Sequence, residues 1–150
     1  MTGKRKYERP PFLSGKVTQE KYERWVHRKA IALVRRDRRR GNLSATNEEY
    51  KVEIHRAVSE SGGRDFYTGE ELDWSLISTY ENARSKSEGR SYKARFALLP
   101  TVDHVNDGLG PADFKICSWR TNDSKSDLTL AEFHELCAKV IQHQKNTASE

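Results

Sequence analysis

Two short apolar runs constrain this chain most: RFALLP at residues 95–100 and DFKICSW at 113–119, separated by NDGLGP. Both have the length of buried strands, and strand spacing puts Phe114, Ile116 and Ser118 on one face. Two glycines and a proline within five residues make the separator a loop. The first strand, over residues 92–100, is expected to end at Pro100. Elsewhere the apolar residues mostly recur at helical spacing. The sequence therefore predicts an α+β fold, predominantly helical, with little more sheet than a hairpin.

Thr18 is an N-cap candidate, and Tyr22, Trp25, Val26, Ala30, Leu33 and Val34 follow it on one stripe. That spacing predicts a helix to about residue 40, which Gly41 stops. Thr46 with Glu49 fits a capping box for a second helix carrying Tyr50, Ile54, Ala57 and Val58, ended by SGG at 61–63. DFYTGEEL reads as a short strand and turn around Gly69, followed by a helix over about 73–84 and a polar break, SKSEG. Thr129 and Glu132 form another capping box and open a final helix with Leu130, Phe133, Cys137, Val140 and Ile141 on its apolar side. Residues 1–15 read as an extended basic arm. At 150 residues the chain is one ordinary domain. The arm at 1–15 precedes a helical extension at 16–62, which forms one compact unit with a core at 63–145.

The net charge of +5 is unevenly spread. The first 40 residues hold 14 of the 27 Lys/Arg and 4 of the 22 Asp/Glu, a balance of +10, leaving −5 for the other 110. Concentrated positive charge attracts polyanions and releases counterions when it meets phosphates, so nucleic acid is the expected partner. Arg28, Arg35, Arg36, Arg38, Arg39 and Arg40 occupy the face opposite the apolar stripe and are the candidate backbone contacts. Such contacts position a duplex without reading its bases. A solvated basic helix with no partner is the plain alternative. No run of 18 apolar residues exists and no apolar segment follows the charged start, so a soluble, cytoplasmic protein that does not engage a membrane is expected. Cys117 and Cys137 offer no disulfide framework and are expected as free thiols.

TVDHVNDG, at residues 101–108, sets an aspartate against a histidine between the two apolar runs. Phosphodiester hydrolysis needs a group that deprotonates water and a cation that neutralises charge on the phosphate and the departing oxygen. Histidine suits the first task at neutral pH. A hard ion such as Mg²⁺, held by one or two oxygen ligands and keeping its waters, suits the second. Neighbouring strand residues point opposite ways, so Asp103 can serve as ligand while His104 serves as base, with Asn122 as a second oxygen ligand.

Asp103-His104, Asp113 nine residues later, and Asn122 nine further on in NDSK together resemble the HNH endonucleases, whose active site is a ββα-metal hairpin. The likeness covers roughly residues 64–130. It implies His104 as general base, Asp103 and Asn122 as ligands of Mg²⁺ or Mn²⁺, and Lys125 as a phosphate contact or loop anchor. Asp113, where Asn is commoner, would brace the loop and orient the histidine, or else face solvent beside Pro111. DNA would be the substrate, and a double-strand break would need a homodimer or two encounters. Many members of the family also bind a structural zinc through two C-x-x-C pairs. Asp65, Thr68, Ser118 and Thr121 stand at those four positions, so no structural zinc is expected, and packing of Phe66, Tyr67, Trp74 and Trp119 is expected to compensate. The alternative is a non-catalytic, basic nucleic-acid-binding module on a degenerate HNH fold.

Other candidates carry less. His134 begins HELC, but Ala138 stands where a zinc helix of the H-E-x-x-H type needs its second histidine. His134 and Cys137 read as a packed surface pair; His27, His55 and His143 read as structural, and Tyr22 and Trp25 as core.

Overall fold

A computed structural model describes residues 5–77, 87 and 89–148. The helix expected at 73–84 falls largely outside the described residues; its start is a single 3-10 turn, Trp74–Leu76. Helix α1 (Gln19–Arg39) is capped by Thr18, whose hydroxyl accepts the Lys21 amide at 3.2 Å, and it buries the predicted stripe. Helix α2 (Asn47–Ser61) is capped by Thr46 and ends at Gly62 in the left-handed conformation, φ 61°. Only half of its capping box forms, because Glu49 turns its carboxylate toward the Ala112 amide, 3.4 Å away. Each such cap is worth about 1 kcal/mol.

The sheet is an antiparallel hairpin of β1 (Pro100–His104) and β2 (Phe114–Ser118), in a register that pairs Val102 with Ile116 and His104 with Phe114. The first strand thus begins at Pro100, where it was expected to end. Upstream, Arg90–Arg95 form a short helix, α3, and residues 96–99 turn through amide bonds such as Leu99 to the Phe96 carbonyl, 3.0 Å. A proline is tolerated at the first residue of a strand, where no ladder donor is needed. Phe96 is buried all the same, so apolar character marked burial there and not strand.

α1 packs on α2, and α2 packs on β2. Trp25, Trp74, Tyr22, Tyr50, Ile54 and Ile116 form the centre of the core, each under 2% exposed. At roughly 1.5–3 kcal/mol for burying each large apolar side chain, this helix-on-hairpin packing dominates the stability. Helix α4 (Trp119–Lys125) follows β2 directly and folds back on both strands. The α+β, helix-rich architecture expected from the sequence is present. Two expectations change. The arm is not extended throughout: Pro11–Leu13 form a 3-10 turn, Leu13 enters the core, and the Arg9 amide donates to Gln19 Oε1 at 2.8 Å. The final helix, α5 (Leu130–Ala148), opens with a complete Thr129–Glu132 capping box yet buries none of its residues. Cys117 is buried and Cys137 half-buried, and both are free thiols. Among the described residues no helix is long and apolar enough to cross a membrane.

Candidate active site

β1 carries Asp103 and His104 inside, each 6% exposed, and its pleat sends them to opposite sides. On one side the Asp103 carboxylate accepts the Tyr67 hydroxyl and lies 3.3 Å from Lys125 Nζ. The same Nζ donates to the His104 carbonyl oxygen at 3.3 Å. Lys125, at the end of α4, is 2% exposed. A lone buried cation would cost several kcal/mol, which the paired carboxylate offsets. Burial, reinforced by Asp103, pushes the Tyr67 phenol up, so it remains a donor.

On the other side His104 Nε2 lies 2.7 Å from Asp37 Oδ2. Asp37 comes from the last turn of α1 and is fully buried; its Oδ2 also accepts the Tyr50 hydroxyl at 2.6 Å. Tyr50 and Phe114 pack around the imidazole at centroid distances of 6.4 and 4.8 Å. Burial draws the His104 pKa below its ordinary value and Asp37 only partly counters this, so the ring is neutral at pH 7. Among the described residues, Asp37 Oδ1 and His104 Nδ1 are buried without a hydrogen-bond partner. Gly108 closes over the pair at φ +79°, where an added Cβ would sit 3.0 Å from Asp37 Oδ1 and 3.4 Å from His104 Nε2. Asn42 holds that loop by donating to the Gly108 carbonyl at 2.9 Å.

Asp103, His104, Asn122 and Lys125 line one cleft of about 530 Å³, together with Arg36 of α1 and Arg40, its C-cap. Four of the five hairpin and helix candidates are thus brought together. The fifth is not. Asp113 lies just before β2, exposed, contributing only its carbonyl, which accepts the Val105 amide at 3.4 Å. His104 pairs with Phe114, so residue 113 falls beyond the strand end and turns to solvent. The carboxylate that touches the histidine is Asp37, and the side chain that braces the loop is Asn42.

The six arginines also separate. Arg36 and Arg40 face the cleft, whereas Arg38 Nε donates to the Ala45 carbonyl at 2.9 Å and so helps close the α1–α2 turn. Arg28 borders a different cleft, with Trp25 and Trp119, and Arg35 and Arg39 are exposed on α1. His134 is exposed beside half-buried Cys137 on α5.

The four positions compared with zinc cysteines meet through hydrogen bonds. Asp65 Oδ1 accepts the Tyr67 and Thr68 amides at 2.7 and 3.1 Å, while Oδ2 accepts the Ser118 amide at 2.9 Å and the Thr121 hydroxyl at 2.8 Å. The Ser118 hydroxyl caps α4 by accepting the Thr121 amide at 2.9 Å. Polar bonding, more than aromatic packing, joins these segments: Phe66 is 47% exposed, although Trp74 is fully in the core.

Among the described residues no three His, Cys, Asp or Glu side chains are grouped to hold a metal ion. The hard donors on the cleft include the Asp103 carboxylate and the Asn122 amide, and the carboxylates of Asp107, Asp123 and Asp127 also line it. Asp103 and Asn122 fit in kind an ion that takes one or two protein oxygens and keeps most of its waters. Comparison with models of protein families, with curated proteins and with solved structures finds no match to this chain.

Proposed function

We propose that this chain is a metal-dependent endonuclease of the HNH type, acting on DNA phosphodiesters at the cleft beside β1. The observation that carries the reading is the convergence on one cleft of a neutral histidine, a carboxylate and an amide with two arginines of the basic helix. Asp103 and Asn122 would hold Mg²⁺ or Mn²⁺, which when bound supplies positive charge to the phosphate and the departing oxygen. His104 takes the proton from the attacking water. Arg36 and Arg40 grip phosphate oxygens at the cleft, and Arg28, Arg35 and Arg39 hold the flanking backbone. Arg38, tied to Ala45, contributes less. Lys125 holds the Asp103 carboxylate in place until the metal binds. The reading also takes the Asp65 hydrogen-bond hub as the replacement for a structural zinc.

One observation favours the non-catalytic alternative. Lys125 Nζ already lies against Asp103, so a basic module could keep this hairpin folded without any ion. Supercoiled plasmid incubated with Mg²⁺, with EDTA, and with the His104→Ala variant separates the two. Nicking that needs both the ion and His104 supports the nuclease; DNA binding without nicking in any arm leaves the binding module.

A further inference from the structure

α1 enters the active site with more than its arginines. We propose that Asp37 is a positioning residue for the hydrolysis: its carboxylate holds the proton of neutral His104 on Nε2, so that the lone pair on Nδ1 is the base. This rests on the nuclease reading above. A carboxylate is an acceptor, and a nitrogen 2.7 Å from Asp37 Oδ2 bonds to it only as a donor. A neutral imidazole has one N–H, so placing it on Nε2 leaves Nδ1 bare, and Nδ1, buried as the site now stands, makes no hydrogen bond to any described residue. The carboxylate is fixed in turn. The Tyr50 hydroxyl bonds the same oxygen at 2.6 Å, Asp37 is wholly buried, and Gly108 caps it without room to spare. Arg36, the next residue on the helix, lines the cleft, with its Nε 3.9 Å from Asp37 Oδ1. One helix turn thus sets both the phosphate grip and the orientation of the base. A wrong tautomer would present an N–H to the water and could not accept its proton.

The test reads the tautomer directly, from the ¹⁵N shifts of His104 in the whole protein, alongside steady-state cleavage. Wild type is expected to show Nε2 protonated and Nδ1 bare. In Asp37→Asn the proton should move wholly or partly to Nδ1, and kcat should fall about 10²–10⁴-fold with KM unchanged. Tyr50→Phe is the control, since it removes a buried bond to the same oxygen and leaves the histidine contact. It should lower the melting temperature and keep the tautomer, and it should lose less kcat than Asp37→Asn does. If Asp37→Asn leaves the proton on Nε2, or loses no more kcat than Tyr50→Phe does, the assignment is overturned. A wild type that cleaves nothing would sink the nuclease reading, and the ¹⁵N shifts would still decide whether Asp37 holds the proton.

Discussion

Asp65 and Asp37 are both buried carboxylates, 2% and 0% exposed, and they are used in opposite ways. Asp65 accepts four hydrogen bonds, two on each oxygen, and joins residues 65–68 to residues 118–121. Burial pushes its pKa up, but these four donors outweigh burial and hold it below the ordinary range. Asp37 takes two donors on one oxygen and none on the other. A buried polar atom left unbonded costs about 1–3 kcal/mol. A saturated carboxylate serves as a structural rivet, whereas one that leaves an oxygen unbonded, beside a histidine whose Nδ1 is also unbonded, marks a place where stability has been given up, as functional sites often do.

The two sites should therefore fail differently. On the proposed nuclease reading the largest effect is expected on the Asp37 side: His104→Ala should reduce cleavage by roughly 10²–10⁴-fold while changing the affinity for DNA less than about threefold, because the arginines proposed to contact phosphate remain. Plasmid nicking beside a binding titration at fixed salt checks it, and equal loss of both would erase the distinction. Next comes Asp65→Ala, which strands four donors and should cost about 3–5 kcal/mol. That corresponds to a fall of roughly 10 °C in Tm. Urea unfolding showing a loss below about 1 kcal/mol would mean that the hub is not the rivet. Smaller again is Gly108→Ala. A side chain at φ +79° beside Asp37 should cost about 1–2 kcal/mol. Cleavage should fall further than stability does, because the displaced group is the carboxylate holding His104.

The difference between these carboxylates was only partly legible in the sequence. Helices α1 and α2 and the presence of a hairpin follow from local periodicity, which needs no knowledge of partners. Asp37 sits within RRDRRR, where a lone acid reads as relief of arginine repulsion. Yet residues 26, 30, 33 and 37 share one helical stripe, so the spacing already placed this carboxylate among buried residues. The positions of Asp65, Thr68, Ser118 and Thr121 could be found by alignment to a motif. That Asp65 alone would hub the other segments depends on pairing across some fifty residues, which no local pattern encodes. Asp113 takes the second of its two expected places, facing solvent, because β2 begins at Phe114, and which of the two it takes depends on a strand boundary that no local pattern encodes. Tyr67 as donor to Asp103 was equally hidden, since an aromatic beside Phe66 reads as packing.

The smallest expected effect is on the pH dependence of stability, and it isolates the rivet. The pKa of Asp65 is lowered on folding, so over the acid range the unfolded chain binds its proton more readily than the folded one. Stability from this group is then fully present above its unfolded pKa of about 3.9, and it is lost as pH falls through the lower folded value. Wild type should lose melting temperature below about pH 4, and Asp65→Asn, which has no carboxylate to titrate, should start lower and fall less steeply over the same range. Scanning calorimetry from pH 6 to pH 3 compares the slopes. Parallel slopes would show that the four donors do not favour the ionised carboxylate, and Asp65 would then resemble Asp37 more closely than the geometry says.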